Sequence, residues 1–165
     1  MKMTHIFSRL VVPVLLMLNT TVSAQSADQK AAEVKQLIES KKYVFVIQSA
    51  SPVSGGTIQL NTYYNLYINK DSLVSYLPYF GRAYRAEIGS TRSPLDFIST
   101  DFTYTAKRLK KGGYEINIEL KDQNDAKHIN LSISSSGYGT LRINSLNRQP
   151  ISFYGYLTKK KESRT

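Results

Sequence analysis

The stretch GGYEINIELKDQNDAKHINLSISSSG, residues 112–137, decides the fold of this chain. Apolar side chains take every second position in each of its halves, from Tyr114 to Leu120 and from Ile129 to Ile133, and polar side chains take the positions between them. A period of two is typical of a β-strand with one dry face and one wet face. Glycine at both ends and Asp and Asn in the middle are typical of tight reversals. We therefore predict neighbouring strands that pair antiparallel.

The same period of two continues on both sides of this stretch. Tyr, Val, Ile and Thr are enriched there, as expected for strands. Eight or nine antiparallel strands with an apolar face favour a mainly β fold, an antiparallel up-and-down barrel. The alternative is an α+β fold in which a curved antiparallel sheet packs on a helix. The predicted strands cover residues 43–50, 57–69, 72–78, 83–88, 95–109 with a break near 99–101, 113–121, 127–135, 138–146 and 150–158.

One segment keeps a helical period instead. Apolar residues recur there at the spacing of a single helix face, which predicts an amphipathic helix over residues 27–41 with Ser26 or Asp28 as its N-cap. The residues of this face are Ala31, Val34, Leu37 and Ile38.

The first 24 residues have the pattern of a secretory signal peptide. Lys2 and Arg9 precede an apolar stretch at residues 10–18, and Val22–Ala24 supplies small residues at a cleavage site. We expect cleavage after Ala24 and a soluble protein in the periplasm or outside the cell. No cysteine is present to carry a lipid. The expected organisation is a signal peptide (1–24), one β-rich domain (25–158) and a basic tail (159–165).

The charge balance is basic. The chain has 165 residues with 22 Lys and Arg against 12 Asp and Glu, a net charge of +10 that falls to +8 when Lys2 and Arg9 are removed. Such a surface favours contact with an anionic envelope component or ligand. An export signal argues against a nucleic-acid partner. No apolar run reaches the roughly 20 residues of a membrane-spanning helix, and the charged tail argues against a small membrane barrel.

The residues needed for standard catalysis are scarce. His128 is the one histidine outside residues 1–24, and no nucleophile elbow, metal-ligand spacing or cofactor motif is present. Four acids could meet in space, but no pattern selects them: Asp71, Glu87, Asp96 and Asp101. We therefore expect no enzyme activity, no cofactor and no metal. The segment Asp122–Asp125 is predicted to form a turn.

Two segments depart from plain alternation. LPYFGRAY at residues 77–84 and NRQPISFYG at residues 147–155 resemble the domain-of-unknown-function family 4251, a family of exported proteins. The resemblance covers about residues 30–157. It implies a lipocalin-like barrel, and it carries no known activity, substrate or site residue.

The same two segments hold the candidate site. In one interpretation the arginines stack on rings and bond neighbouring groups at opposite ends of the barrel, a structural role. In the other, the guanidinium groups and aromatic rings share one rim and hold an anionic or amphipathic ligand. The residues concerned are Tyr79, Arg82, Tyr84 and Arg148.

Tyr63 and Tyr67, which share a strand face with Asn65 and Asn69, form either an outward tyrosine ladder or a surface that contacts carbohydrate. Two functions remain open at this point. The first is non-enzymatic binding of a small amphipathic or anionic ligand, and the second is a structural protein whose self-filled barrel docks an envelope partner.

Overall fold

The computed structural model describes residues 19–61, 63–84, 92–110, 112–123 and 125–160. Within these residues the chain forms one helix and ten strands. The helix, α1, covers Asn19–Ser40. The strands are β1 (Tyr43–Pro52), β2 (Ile58–Gln59), β3 (Asn65–Ile68), β4 (Leu73–Tyr76), β5 (Asp96–Ser99), β6 (Phe102–Arg108), β7 (Tyr114–Leu120), β8 (Ala126–Ile133), β9 (Tyr138–Ser145) and β10 (Ile151–Thr158).

The strands form a single antiparallel sheet that curves into a nearly closed barrel. Its order is β5-β4-β3-β1-β10-β9-β8-β7-β6, and β2 pairs with β1 beside this path. The first and last strands pair with each other, from Val44 opposite Thr158 to Pro52 opposite Ile151. The predicted up-and-down barrel with one helix is confirmed.

The two edges of the sheet are consecutive in the chain. β5 pairs with β4, β6 pairs with β7, and Thr100 and Asp101 are the two residues between β5 and β6. The predicted strand 95–109 is therefore two strands, β5 and β6, and the break between them lies where it was predicted. Because β5 and β6 are themselves the two edges of the sheet, the kink at Thr100 and Asp101 connects the two edges of the barrel.

The inward side chains form one hydrophobic core. They come from all nine strands of the path from β5 to β6 and from α1, whose Val34, Leu37 and Ile38 are buried in the same cluster. The helix packs at the β8–β9 turn, where a Cβ on Gly137 would lie 3.4 Å from the Val34 side chain. The helix therefore covers the barrel end at which β1 begins and β10 ends.

Several predicted boundaries differ from the structure. The helix runs without interruption through Ser26 and Asp28, so neither residue is its N-cap. It ends where predicted, because Lys41 takes a left-handed conformation with φ of 51°. Residues 1–18, most of the expected signal peptide, lie outside the described residues.

The predicted strand 57–69 is two strands, β2 and β3. β1 carries a bulge between Ile47 and Ser49, and on its other edge Ile47 N donates to Tyr64 O while Leu60 N donates to Gln48 O. The adjacent β1 residues Ile47 and Gln48 are thus bonded to Tyr64 and Leu60, which are four positions apart, so β2 and β3 do not form one continuous ladder with β1.

Only residues 83 and 84 of the predicted strand 83–88 are among the described residues, and there Ala83 forms an isolated antiparallel bridge with Arg148. Residues 85–91 lie outside the described residues. None of the described helices combines the length and apolarity that crossing a membrane requires.

Candidate functional site

The two segments singled out in the sequence meet at the barrel end opposite α1. Residues 77–84, here called the strap, leave β4 and reach the β9–β10 turn, on the far side of β3, β1 and β10 in the sheet order. Tyr84 N donates to Asn147 O at 2.7 Å, and Gln149 N donates to Arg82 O at 3.1 Å. The strap therefore crosses this end of the barrel and is fixed there by backbone hydrogen bonds.

Tyr79 holds the strap in its folded form. Its hydroxyl lies 2.9 Å from Arg82 O and 3.0 Å from Gln149 O, so its one proton is shared between the two carbonyls. Gly81 makes this possible, because a Cβ there would lie 2.3 Å from the Tyr79 hydroxyl. Burial raises the pKa of Tyr79 above its ordinary value, against the opposing effect of the Arg148 charge. Tyr79 is therefore a neutral hydrogen-bond donor at physiological pH.

Arg148 is held by a carboxylate and a ring. Its Nε donates to Asp125 Oδ2 at 2.6 Å, and the two side chains are 12% and 16% exposed. Its guanidinium carbon lies 5.6 Å from the centre of the Tyr79 ring, within the range of a cation–π contact. Asp125 also accepts a hydrogen bond from Asn147 N. These contacts join the strap, the β7–β8 turn and the β9–β10 turn.

The four candidate residues therefore lie at one end of the barrel, but they differ in whether their side chains or their backbones make the contacts. Tyr79 and Arg148 touch each other, whereas the side chains of Arg82 and Tyr84 are exposed and contribute through their backbones. Arg148 stacks and pairs as the structural interpretation requires, but at the same end as Arg82 and not at the opposite one. Ligand binding by these residues stays a prediction.

The histidine and the described acids considered in the sequence analysis lie at separate places in the fold. His128 is exposed on β8, opposite Glu119 of β7. Asp71 lies in the β3–β4 turn, Asp96 begins β5, and Asp101 lies at the kink between β5 and β6. Glu87 lies outside the described residues. Over the described parts of the chain, no three His, Cys, Asp or Glu side chains come together as metal ligands.

Asp122 was predicted only as a turn residue, and its second role left no sign in the sequence. Its carboxylate accepts hydrogen bonds from Ser99 Oγ at 2.6 Å and from the backbone N–H groups of Thr100 and Asp101 at 2.8 and 3.2 Å. Desolvation raises the pKa of Asp122, but these bonds and one from Gln123 outweigh it and lower the pKa to about 2. Asp122 therefore fixes the kink that joins the two barrel edges.

A groove on the outer wall is the second candidate site, and it runs along β1. Val44 and Val46 form its floor, because β1 lies between β3 and β10 and carries smaller outward side chains than either neighbour. Val46 pairs with Asn65 on one side and with Tyr156 on the other. The groove has a volume of about 520 Å³. Its lining consists of Val44, Val46, Tyr63, Asn65, Tyr67, Tyr156, Thr158, Lys159 and Lys160.

The groove combines aromatic walls, an amide and positive charge. Tyr67 packs edge-on against Tyr76, with ring centres 6.3 Å apart, and its hydroxyl lies 3.3 Å from Asn65 Nδ2. On the opposite wall Tyr156 lies 6.1 Å from Tyr138. Among the described residues that line the groove, two are lysines and none is an acid. The sequence placed Tyr63, Asn65, Tyr67 and Asn69 on one strand face. The first three line the groove, and the pairing of β1 with β10 adds Tyr156 and the two lysines.

A smaller depression of about 420 Å³ lies beside the strap. Tyr76, Pro78 and Tyr79 line one side of it, and Pro94 and Asp96 line the other. Ser93 Oγ donates to Leu77 O at 2.5 Å beneath it. This hydrogen bond ties the start of the strap to the segment that leads into β5.

Comparison with known proteins gives a family and a fold. The model of a family described as a domain of unknown function (DUF4251) matches residues 25–157. A solved structure titled as a DUF4251 family protein from Bacteroides eggerthii DSM 20697 superposes with a TM-score of 0.56 at 14% identity, and covers 79% of this chain and 87% of its own. No curated protein matches the chain.

Proposed function

The chain belongs to the DUF4251 family, and from this premise we propose that it is an exported, non-enzymatic binding protein of the cell envelope that holds an anionic, partly apolar component on its outer wall. The observation that carries the proposal is the groove along β1. The groove combines an apolar floor, aromatic walls and two lysines in one concave surface. This combination is expected of a ligand site.

The barrel interior supports an outer site over an inner one. Large inward residues such as Phe45, Leu131 and Phe153 are fully buried and belong to one continuous core. α1 covers one end of this core and the strap crosses the other. A ligand inside the barrel would have to displace these side chains, whereas the groove on the outer wall is open.

The scarcity of reactive groups supports a non-enzymatic role. The described lining of the groove consists of tyrosine, valine, asparagine, threonine and lysine, and it includes no carboxylate or histidine that could act as a general base. A ligand there would be held by stacking, hydrogen bonds and charge.

Native mass spectrometry of the protein purified from its own exported fraction tests the proposal. We expect an added mass that leaves on denaturation, and we expect the double variant Tyr67→Ala/Tyr156→Ala to lose it. The matched control is Tyr154→Ala, an exposed tyrosine of β10 outside the groove. A wild-type protein that always has the mass of the bare chain would contradict the proposal.

The second candidate is a structural protein of the envelope that docks a protein partner through its surface. The continuous core favours it equally, because a barrel filled by its own side chains needs no ligand to be stable. In the same experiment, a stable oligomer or a bound partner protein in place of a small added mass would select this alternative.

A further inference from the structure

We propose that the groove along β1 binds a segment of an acidic polysaccharide, with sugar rings against its tyrosines and a carboxylate of the polymer on Lys159 and Lys160. This inference rests on the proposed function and names the chemical class of its ligand. It uses three features of the groove: its width, the polar groups among its rings, and its charge.

The width of the groove fits a single chain of rings. β3 and β10 are the two neighbours of β1, and adjacent strands lie about 4.8 Å apart, so roughly 10 Å separates the two walls at the backbone. Tyrosine side chains on both walls narrow this space further. An α-helix with side chains is about 10–12 Å across, so a helical protein segment is too wide to reach the valine floor.

The polar groups in the groove favour sugar over lipid. Asn65 Nδ2 lies 3.3 Å from the Tyr67 hydroxyl and 3.4 Å from Tyr63 O, so an amide and a hydroxyl stand directly beside the aromatic walls. The C–H face of a sugar ring packs on an aromatic ring while its hydroxyl groups bond such neighbours. An acyl chain in the same place would remove these polar groups from water without replacing their hydrogen bonds.

Tyrosines continue past both walls of the groove. Tyr76 packs on Tyr67 on the β4 side, and Tyr138 packs on Tyr156 on the β9 side. Both outer tyrosines are at least half exposed. This row of rings gives a ligand more places to stack than one sugar ring can use, which favours a polymer over a monosaccharide.

The charge of the groove selects an acidic polymer. Lys159 and Lys160 are exposed at the end of β10 and line the groove, and the described lining holds no acid to neutralise them. A carboxylate on the polymer would form charge-assisted hydrogen bonds with these ammonium groups. A neutral polymer would keep the stacking and lose this contribution.

Binding of oligogalacturonate to the chain from Gln25 onward, measured by titration calorimetry, tests the proposal. The matched neutral probe is the same oligomer with its carboxylates methyl-esterified. We expect the acidic oligomer to bind at least 10-fold more tightly than the ester at low salt. We expect Tyr67→Ala/Tyr156→Ala to weaken binding of the acidic oligomer at least 10-fold, with Tyr154→Ala as the unchanged control.

The double variant Lys159→Gln/Lys160→Gln separates charge from stacking. We expect it to bind the acidic oligomer and the ester equally, because the preference for carboxylate resides in these two side chains. Circular dichroism and melting curves verify that each variant is folded. Equal binding of both oligomers by the wild type, or binding that is unaffected by the tyrosine substitutions, would overturn the proposal.

Two further outcomes separate this inference from the proposed function. If neither oligomer binds but the protein from its exported fraction carries an added mass that requires Tyr67 and Tyr156, the groove is a ligand site and the polysaccharide assignment is wrong. Binding to phosphatidylglycerol vesicles without binding to the oligomer also rejects the assignment, in favour of a lipid surface. If the exported protein carries no added mass and no probe binds, both proposals fail.

Discussion

Asp122 holds the kink between β5 and β6 through both of its carboxylate oxygens. Its pKa of about 2 in the folded protein lies below the ordinary value of 3.8. A group with a lowered folded-state pKa stabilises the protein fully above its unfolded value and loses this contribution as pH falls through the folded value. The relevant window therefore lies between about pH 4 and pH 2.

We expect Asp122→Asn to weaken the kink, because the amide cannot accept all the hydrogen bonds that the carboxylate accepts. At pH 7 the melting temperature should fall by about 3 °C, the change expected for roughly 1 kcal/mol in a domain of this size. Thermal melts from pH 7 to pH 2 check this. The difference between wild type and variant should shrink below pH 4.

Asp101→Asn is the matched control. Asp101 bonds Asp122 through its backbone N–H group, so this substitution leaves the hydrogen bonds of the Asp122 carboxylate in place. A difference between wild type and Asp122→Asn that stays constant down to pH 2 would contradict the role assigned to the charge.

Arg148 and Arg82 lie at the same end of the barrel, but we expect their side chains to contribute very differently to stability. Arg148→Ala leaves Asp125 without its ion-pair partner in a largely buried position, so we expect a loss of about 2–3 kcal/mol in the free energy of unfolding. Arg82→Ala removes an exposed side chain and keeps the backbone bonds of the strap, so its effect should lie within about 0.5 kcal/mol. Urea denaturation of both variants makes the comparison. Equal losses would refute it.

The sequence could predict that the segments holding Arg82 and Arg148 are structured corners, because proline, glycine and aromatic residues interrupt the alternation there. It could not identify Asp125 as the partner of Arg148. Asp125 lies in a turn 23 positions earlier in the chain, and only the pairing of β8 with β9 brings that turn to the β9–β10 turn.

At the scale of single elements, strand alternation predicted most of the sheet correctly. β7, β8, β9 and β10 lie within two residues of their predicted ends because each has a regular buried face bounded by a turn. The failure at residues 57–69 arises from the β1 bulge, which breaks its partner strand. A bulge in one strand leaves no signal in the sequence of the strand beside it.

Gly155 of β10 lies where β10 and β1 approach each other closely. It pairs with Gly139 of β9, and a Cβ at Gly155 would lie 2.0 Å from the Val46 backbone oxygen. Because backbone cannot move aside as a flexible side chain does, we expect Gly155→Ala to destabilise the protein by more than about 2 kcal/mol.

Chemical denaturation checks this against Gly56→Ala, where a Cβ would meet no atom within 4 Å. We expect Gly56→Ala to change stability by less than about 0.5 kcal/mol. A Gly155→Ala protein as stable as Gly56→Ala would show that β1 and β10 can separate at little cost.

At the scale of the whole molecule, the nearly closed barrel was predictable because many strands with one apolar face must bury that face together. The groove was not, since it requires β1 to lie between β3 and β10, and β10 is about a hundred residues away in the chain. In the sequence, Val44 and Val46 look like ordinary strand residues. They form the floor of a groove only because the neighbouring strands β3 and β10 place tyrosines on both sides of them.

The proposed export gives a prediction about the mature chain. We expect the intact mass of the exported protein to correspond to a chain that begins at Gln25, and we expect Ala24→Arg to block this processing because signal peptidase requires small residues at its cleavage site. The buried helix residues Val34, Leu37 and Ile38 all follow the expected cut, so the processed protein should keep its fold. A different first residue would contradict the assignment.

The continuous core predicts how the barrel responds to an apolar probe. Phe153 is fully buried, so Phe153→Ala should cost about 3–5 kcal/mol and leave an apolar cavity. Benzene that fills such a cavity stabilises the folded state by mass action, so we expect it to raise the melting temperature of Phe153→Ala. We expect no rise for the wild type or for Phe80→Ala, a substitution at an exposed ring. A wild-type protein that benzene stabilises would reveal a pre-existing interior cavity, and the ligand site would then belong inside the barrel.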